Sequence, residues 1–162
     1  KKNPSNLAVV LYPSDEIRAV LEKVLSTQSG ANNFIELVSN NGAGAVSAKA
    51  VLTSSGTMSL TCGLAGIPGA IAYKAHPLTY FWARRLIRVP YIGIVNLLLD
   101  ESVYPEFIQG MANPRLLAQE IENAVSDKAM IENTSRAAVR LREILTSQKN
   151  VSPAAWLASS MT

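Results

Sequence analysis

Ser54-Ser55-Gly56-Thr57 is the part of this 162-residue chain whose residue types best suit a phosphate. Free N–H groups at a helix start attract anions, glycine lets backbone approach a ligand closely, and hydroxyls add hydrogen bonds. No lysine makes this a P-loop and no GxGxxG is present, so a second reading stays open: a glycine for the turn and a Ser or Thr helix cap. His76, the one histidine, precedes Pro77 and suits a turn or surface position better than a general base. Cys62, the one cysteine, sits inside an apolar helical run, where a structural thiol is expected rather than a nucleophile. Asp100 and Glu101 are adjacent, so they point different ways and read as solvated loop acids rather than an acid/base pair. One His, one Cys and scattered acids make neither a metal site nor an intramolecular disulfide. No residue is assigned a catalytic role, and no cofactor or metal is implied.

Arg84, Arg85 and Arg88, beside Phe81 and Trp82, form the other unusual group. Residues 74–99 hold four bases and no acid, and they carry the whole +3 excess of the chain. Two readings stay open for this block. It can be a solvated helix end with its aromatics in the core. It can also rest on an anionic membrane, where each cation contributes ~1 kcal/mol near the surface. A net charge of +3 is too mild to suggest a nucleic-acid partner.

The elements that must position these residues follow from apolar patterning. Leu7 to Tyr12 is a continuous apolar run, as expected for a strand buried on both faces of a parallel sheet. Ser14 suits a helix cap, Asp15 and Glu16 suit the first turn, and Ile17, Val20, Leu21, Val24 and Leu25 share one helical face. Gly30 breaks that pattern. Phe34 to Val38, Ala50 to Thr53 and Ala70 to Tyr73 read as further strands, with a short helix over Met58 to Ala65 that Gly66 and Pro68 end. The uncharged stretch between Lys49 and Lys74 carries four glycines, a proline and six Ser or Thr, so it reads as strand–loop–helix–strand rather than a membrane span. Val89 to Leu99 falls well short of the ~20 residues a spanning helix needs. Beyond His76 the pattern is helical: Pro77 to about Arg88; Asn113 as cap with Pro114 at the first position, to about Ser126; and a last helix with Ile131, Ala138, Leu141 and Leu145 on one face. Strands alternating with helices mean βαβ units, an α/β Rossmann-like parallel sheet with flanking helices. The expected organisation is one partial nucleotide-binding domain over residues 1–148 and a tail over 149–162, which Trp156 and Leu157 could dock.

A longer pattern joins these pieces. Ser55-Gly56-Thr57-x-x-Leu60, Gly66-Ile67-Pro68, Tyr73, Pro77-Leu78-Thr79-Tyr80-Phe81-Trp82-Ala83-Arg84-Arg85-Leu86, Val89-Pro90-Tyr91, Asn96-Leu97-Leu98 and Pro105-Glu106-Phe107-Ile108-Gln109 occur in this order. Together they resemble the C-terminal, UDP-binding portion of lipid-A-disaccharide synthase, a GT-B glycosyltransferase. The similarity is strongest over residues 51–109.

The resemblance implies transfer of a diacylglucosamine from its UDP donor to a diacylglucosamine 1-phosphate acceptor, in lipid A biosynthesis. It implies a UDP-linked acylated glucosamine and a lipid monosaccharide phosphate as partners, and a cytoplasmic location with contact to the inner face of the cytoplasmic membrane. It assigns Ser55, Gly56, Thr57, Thr61, Tyr73, Asn96, Glu106 and Gln109 to the nucleotide, with the Asn96 amide on a phosphate or ribose oxygen. A lipid substrate favours Phe81, Trp82, Arg84, Arg85 and Arg88 as membrane-facing. Three positions depart from the family pattern: Thr61 for a glutamate suited to ribose, Val95 for a proline, and Asp100-Glu101 for Gly-Arg. An acid near a diphosphate would repel it. On this reading the N-terminal domain lies outside the chain, which alone is expected to be inactive, and an open sheet edge invites a homo-oligomer. The rivals are another GT-B UDP-sugar enzyme and a non-enzymatic module that keeps the fold for partner or membrane binding.

Overall fold

A computed structural model describes residues 8–28, 34–40, 47–54, 56–76 and 90–147. It divides into two compact units, Lys1–Ala45 and Val46–Thr162. The helix expected from Pro77 to Arg88, the Gly30 break and the tail over 149–162 lie outside the described residues.

In the first unit, β1 (Ala8–Tyr12) pairs in parallel with β2 (Ile35–Ser39), with Ala8 opposite Ile35 and Tyr12 opposite Ser39. The crossover is α1 (Asp15–Ser26). Ser14 precedes α1 in extended backbone without a side-chain cap bond. Its hydroxyl instead serves the Glu16 carboxylate, which holds that group below its ordinary pKa. The expectation that β1 is buried on both faces fails: Ala8 and Val9 are exposed, and Tyr12 is its buried residue. The apolar face of α1 is uncovered too, with Ile17 44%, Val20 58% and Val24 52% exposed. The two strands and one helix among the described residues of this unit give each apolar face little to pack against.

The second unit carries the core. Its parallel sheet has the order β3-β4-β5, from β3 (Val51–Thr53), β4 (Gly69–Tyr73) and β5 (Glu106–Ile108). The registers are Val51 with Gly69 and Ile71 with Glu106. The first crossover is α2 (Thr57–Leu64), so the stretch from Lys49 to Lys74 is strand–helix–strand as expected. Gly66 closes α2 in the left-handed region at φ 69°, with the Gly66 N–H on the Gly63 carbonyl and the Ile67 N–H on the Cys62 carbonyl. Between β4 and β5 stands α3 (Ile94–Leu99), and two further helices follow, α4 (Pro114–Ser126) and α5 (Lys128–Ser147). Asn113 caps α4, its Oδ1 accepting the Leu116 N–H at 3.1 Å. On α5 the inward positions are Thr134, Ala137, Ala138 and Leu141, while Ile131 is 38% exposed.

Ile71 on β4 is the centre of the core, packed with Val95 and Leu99 of α3, Val103, Tyr104, and Ala137 and Leu141 of α5. Two glycines allow the close approaches. A Cβ on Gly69 would strike the Val51 carbonyl oxygen across the β3–β4 pair, and one on Gly93 would strike the Ile71 side chain. No helix among the described residues is long and apolar enough to cross a membrane.

Candidate functional site

All three strands of the second sheet run parallel, so their carboxyl ends share one edge, the usual place for a ligand in an open α/β sheet. The turn from β3 into α2 lies there. Thr53 is buried, Ser54 and Thr57 are exposed, and Ser55 lies outside the described residues. Gly56 has φ 129° and ψ −162°, a region essentially reserved for glycine, yet a Cβ at this position would meet nothing within 4 Å. The requirement for glycine is therefore conformational rather than steric. No side chain caps α2, and the Ser59 hydroxyl donates to the Gly56 carbonyl at 2.7 Å. Among the described residues the first N–H groups of α2 thus have no side-chain acceptor, the arrangement that suits an anion. Thr61 is exposed one turn on, its hydroxyl donating to the Thr57 carbonyl at 3.1 Å. Tyr73, 39% exposed, ends β4 at the same edge.

Asn96 and Glu106 are hydrogen-bonded to each other behind that edge, and Gln109 bonds separately to Ala75. Asn96 is fully buried on α3, and its Nδ2 donates to the Tyr104 carbonyl (2.7 Å) and to Glu106 Oε1 (2.9 Å). Its Oδ1 accepts the Tyr104 N–H at 2.9 Å. Both amide hydrogens are thus committed within the protein, whereas the resemblance assigned them to a phosphate or ribose oxygen. Glu106 accepts further from the Ile92 N–H (2.9 Å to Oε2) and the Gly93 N–H (3.0 Å to Oε1). Its carboxylate holds the segment that leads into α3. Gln109 makes a two-way bridge to Ala75, accepting that N–H at 2.9 Å and donating to that carbonyl at 3.1 Å.

Tyr104, which the sequence did not single out, completes the network. It is fully buried and its hydroxyl donates to the Ile67 carbonyl. Burial, and less strongly the neighbouring Cys62, push its phenol well above the ordinary value. Burial likewise raises the Cys62 thiol, which disfavours the thiolate a nucleophile needs. The sequence signal for this network was thin: Gly93 and Tyr104 flank α3, but nothing in their spacing says that they meet Ile71 and Ile67.

Asp100 and Glu101 lie at the far end of α3 from Gly93. Asp100 ends the helix in the left-handed region at φ 50°, and Glu101 pairs with Arg140 of α5 at 2.6 Å. Glu101 is thus engaged with α5, while Asp100 is exposed at the helix end. His76 is exposed beyond β4. Phe81, Trp82, Arg84, Arg85 and Arg88 lie outside the described residues. Among the described residues no group of three or more His, Cys, Asp or Glu could hold a metal ion.

The family model for lipid-A-disaccharide synthetase matches residues 1–159. A lipid-A-disaccharide synthase of Aquifex aeolicus is 57% identical over 61 residues, 38% of this chain and 17% of that protein. That of Geobacter sulfurreducens is 43% identical over 96 residues, 59% of this chain and 25% of that protein. That of Haemophilus influenzae is 34% identical over 132 residues, 81% of this chain and 32% of that protein. The matches span about a third or less of these relatives' length. With a parallel α/β architecture and a match along nearly its whole length, the chain belongs to the lipid-A-disaccharide synthetase family.

Proposed function

We propose that these residues bind the nucleoside diphosphate part of a sugar donor for a hexosyltransferase of lipid A assembly. On this reading an acceptor hydroxyl of a diacylglucosamine 1-phosphate attacks the anomeric carbon of a UDP-linked diacylglucosamine. The carbon–oxygen bond to the diphosphate breaks, UDP leaves with the bonding electrons, and the hydroxyl proton passes to a base. The part we assign to this chain is holding the departing diphosphate. The role we give Asn96 and Glu106 is to position the segment before α3, while the turn at Gly56, Thr57 and Thr61 and the end of β4 at Tyr73 meet the nucleotide. Acyl chains on donor and acceptor favour work at a membrane surface, which we assign to the inner face of the cytoplasmic membrane.

The observation that carries the reading is the start of α2 behind Gly56, uncapped among the described residues, at the shared carboxyl edge of a parallel sheet. A second reading, a non-enzymatic module of the same fold, is favoured by Thr61: it supplies a hydroxyl bonded to its own helix where a carboxylate would suit ribose. A calorimetric titration of UDP into the folded chain, with Thr57→Val alongside, separates the two. Saturable binding that weakens several-fold in the variant supports the donor site. A folded chain that takes up no UDP overturns it and leaves the module.

A further inference from the structure

Register sets the problem at the end of β4. Ile71, Ala72 and Tyr73 pair with Glu106, Phe107 and Ile108 of β5, and there the backbone ladder stops. Gln109 turns away into a 3-10 turn over Gln109–Met111, at φ 54°, a conformation that residues with a Cβ adopt only when their surroundings hold them there. A strand end without a partner is expected to fray. Ala75 does not lose its partner, because the Gln109 carboxamide takes the place of a strand. It accepts the Ala75 N–H at 2.9 Å and donates to the Ala75 carbonyl at 3.1 Å, across 34 residues of sequence.

Lys74 and His76 flank that pinned residue. Both are exposed while Ala75 is half-buried, so the bridge fixes the backbone between two side chains that face water. Among the described residues neither Lys74 nor His76 makes an ion pair: the two ion pairs are Arg18 with Glu22 and Arg140 with Glu101. Glu106, the acid of the adjoining strand, spends its carboxylate on Ile92, Gly93 and Asn96. The carboxyl edge of β4 therefore presents a lysine and a histidine that pair with no described acid.

We propose that Gln109 is a positioning residue: its carboxamide holds Lys74–His76 as a rim of the nucleotide site, with Lys74 and His76 facing the diphosphate. This rests on the donor-site reading above. It changes the part Gln109 plays, from touching the nucleotide to aligning the residues that do. Lining up two side chains from one backbone segment suits a diphosphate, whose charge is spread over two neighbouring groups.

His76 is the one histidine of the chain, so its imidazole C–H resonances are a single, assignable NMR probe. UDP, uridine and inorganic pyrophosphate would each be titrated into the full chain, into Gln109→Met and into Lys74→Ala, with amide exchange at Ala75 read in parallel. The expected result is that UDP and pyrophosphate move the His76 signals and uridine does not. Gln109→Met is expected to bind UDP about tenfold more weakly, with Ala75 exchanging faster and the His76 response shrunken. Lys74→Ala is expected to weaken UDP while Ala75 stays protected, which a loss of structure alone cannot produce. UDP binding with a silent His76, or with unchanged affinity in Gln109→Met, overturns the rim and leaves the donor site standing. No UDP binding by the folded wild-type chain overturns both.

Discussion

Glu106 spends a full negative charge on three groups of its own chain, the N–H groups of Ile92 and Gly93 and the amide of Asn96. A carboxylate has acceptors only, and every partner here is a donor. In Glu106→Gln one oxygen becomes an NH2 that faces donors, so the variant is expected to lose ~2 kcal/mol, the scale of a hydrogen bond to a charged group. A urea midpoint that stays at the wild-type value would contradict this. Tyr104 gives a different signature. Its phenol is pushed above the ordinary 10.0, so the folded chain keeps a proton that the unfolded chain releases. Below pH 10 both states hold it and stability is untouched; above, the unfolded state binds fewer protons and stability falls, by up to ~1.4 kcal/mol per pH unit. Tyr104→Phe is expected to remove that part of the alkaline slope, while costing ~1–3 kcal/mol at neutral pH for the Ile67 carbonyl left without its donor. Denaturation curves from pH 8 to 11 read both effects.

Three-residue strands set the limits of what the sequence discloses about elements. Asn113-Pro114 announces α4 because the cap chemistry is local, and the structure starts the helix at Pro114 with Asn113 bonded as a cap. Gly66 announces the end of α2 for the same reason. β5 is three residues long, Glu106–Ile108, and α3 is six, so neither builds a period that patterning can detect; packing against Ile71 makes them. The candidate site divides the same way. Gly56 and Thr57 are legible as a strand-to-helix turn, whereas the inward commitment of Asn96 depends on Tyr104, eight residues on, and is a fact of packing. Gly69 offers a test at this scale. Its hydrogen lies where any Cβ would meet the Val51 carbonyl oxygen, a backbone atom held by the β3–β4 pairing. Gly69→Ala is expected to part those strands and cost ~3 kcal/mol or more, visible as a large drop in melting temperature. A variant melting within a degree or two of wild type would mean that the strands absorb the methyl.

At the scale of the molecule the buried apolar residues are unevenly shared. Tyr12 is the buried hydrophobic of the first unit among the described residues, while the second holds the cluster around Ile71. Residues 46–162 expressed alone are therefore expected to keep the main thermal transition of the whole chain. A fragment without cooperative melting would show that the first unit supplies stability that its own burial does not suggest. Cys62 turns that core into a clock. The chain has one sulfhydryl, it is fully enclosed, and burial keeps it protonated. A maleimide added to native protein has no other thiol to alkylate, so each labelled molecule is one whose interior was open during the exposure. The labelling rate divided by that of a free cysteine peptide is the fraction of time spent open. Repeated with and without a nucleotide, the same ratio would weigh how firmly a ligand at the strand ends closes the protein, without any assay of sugar transfer.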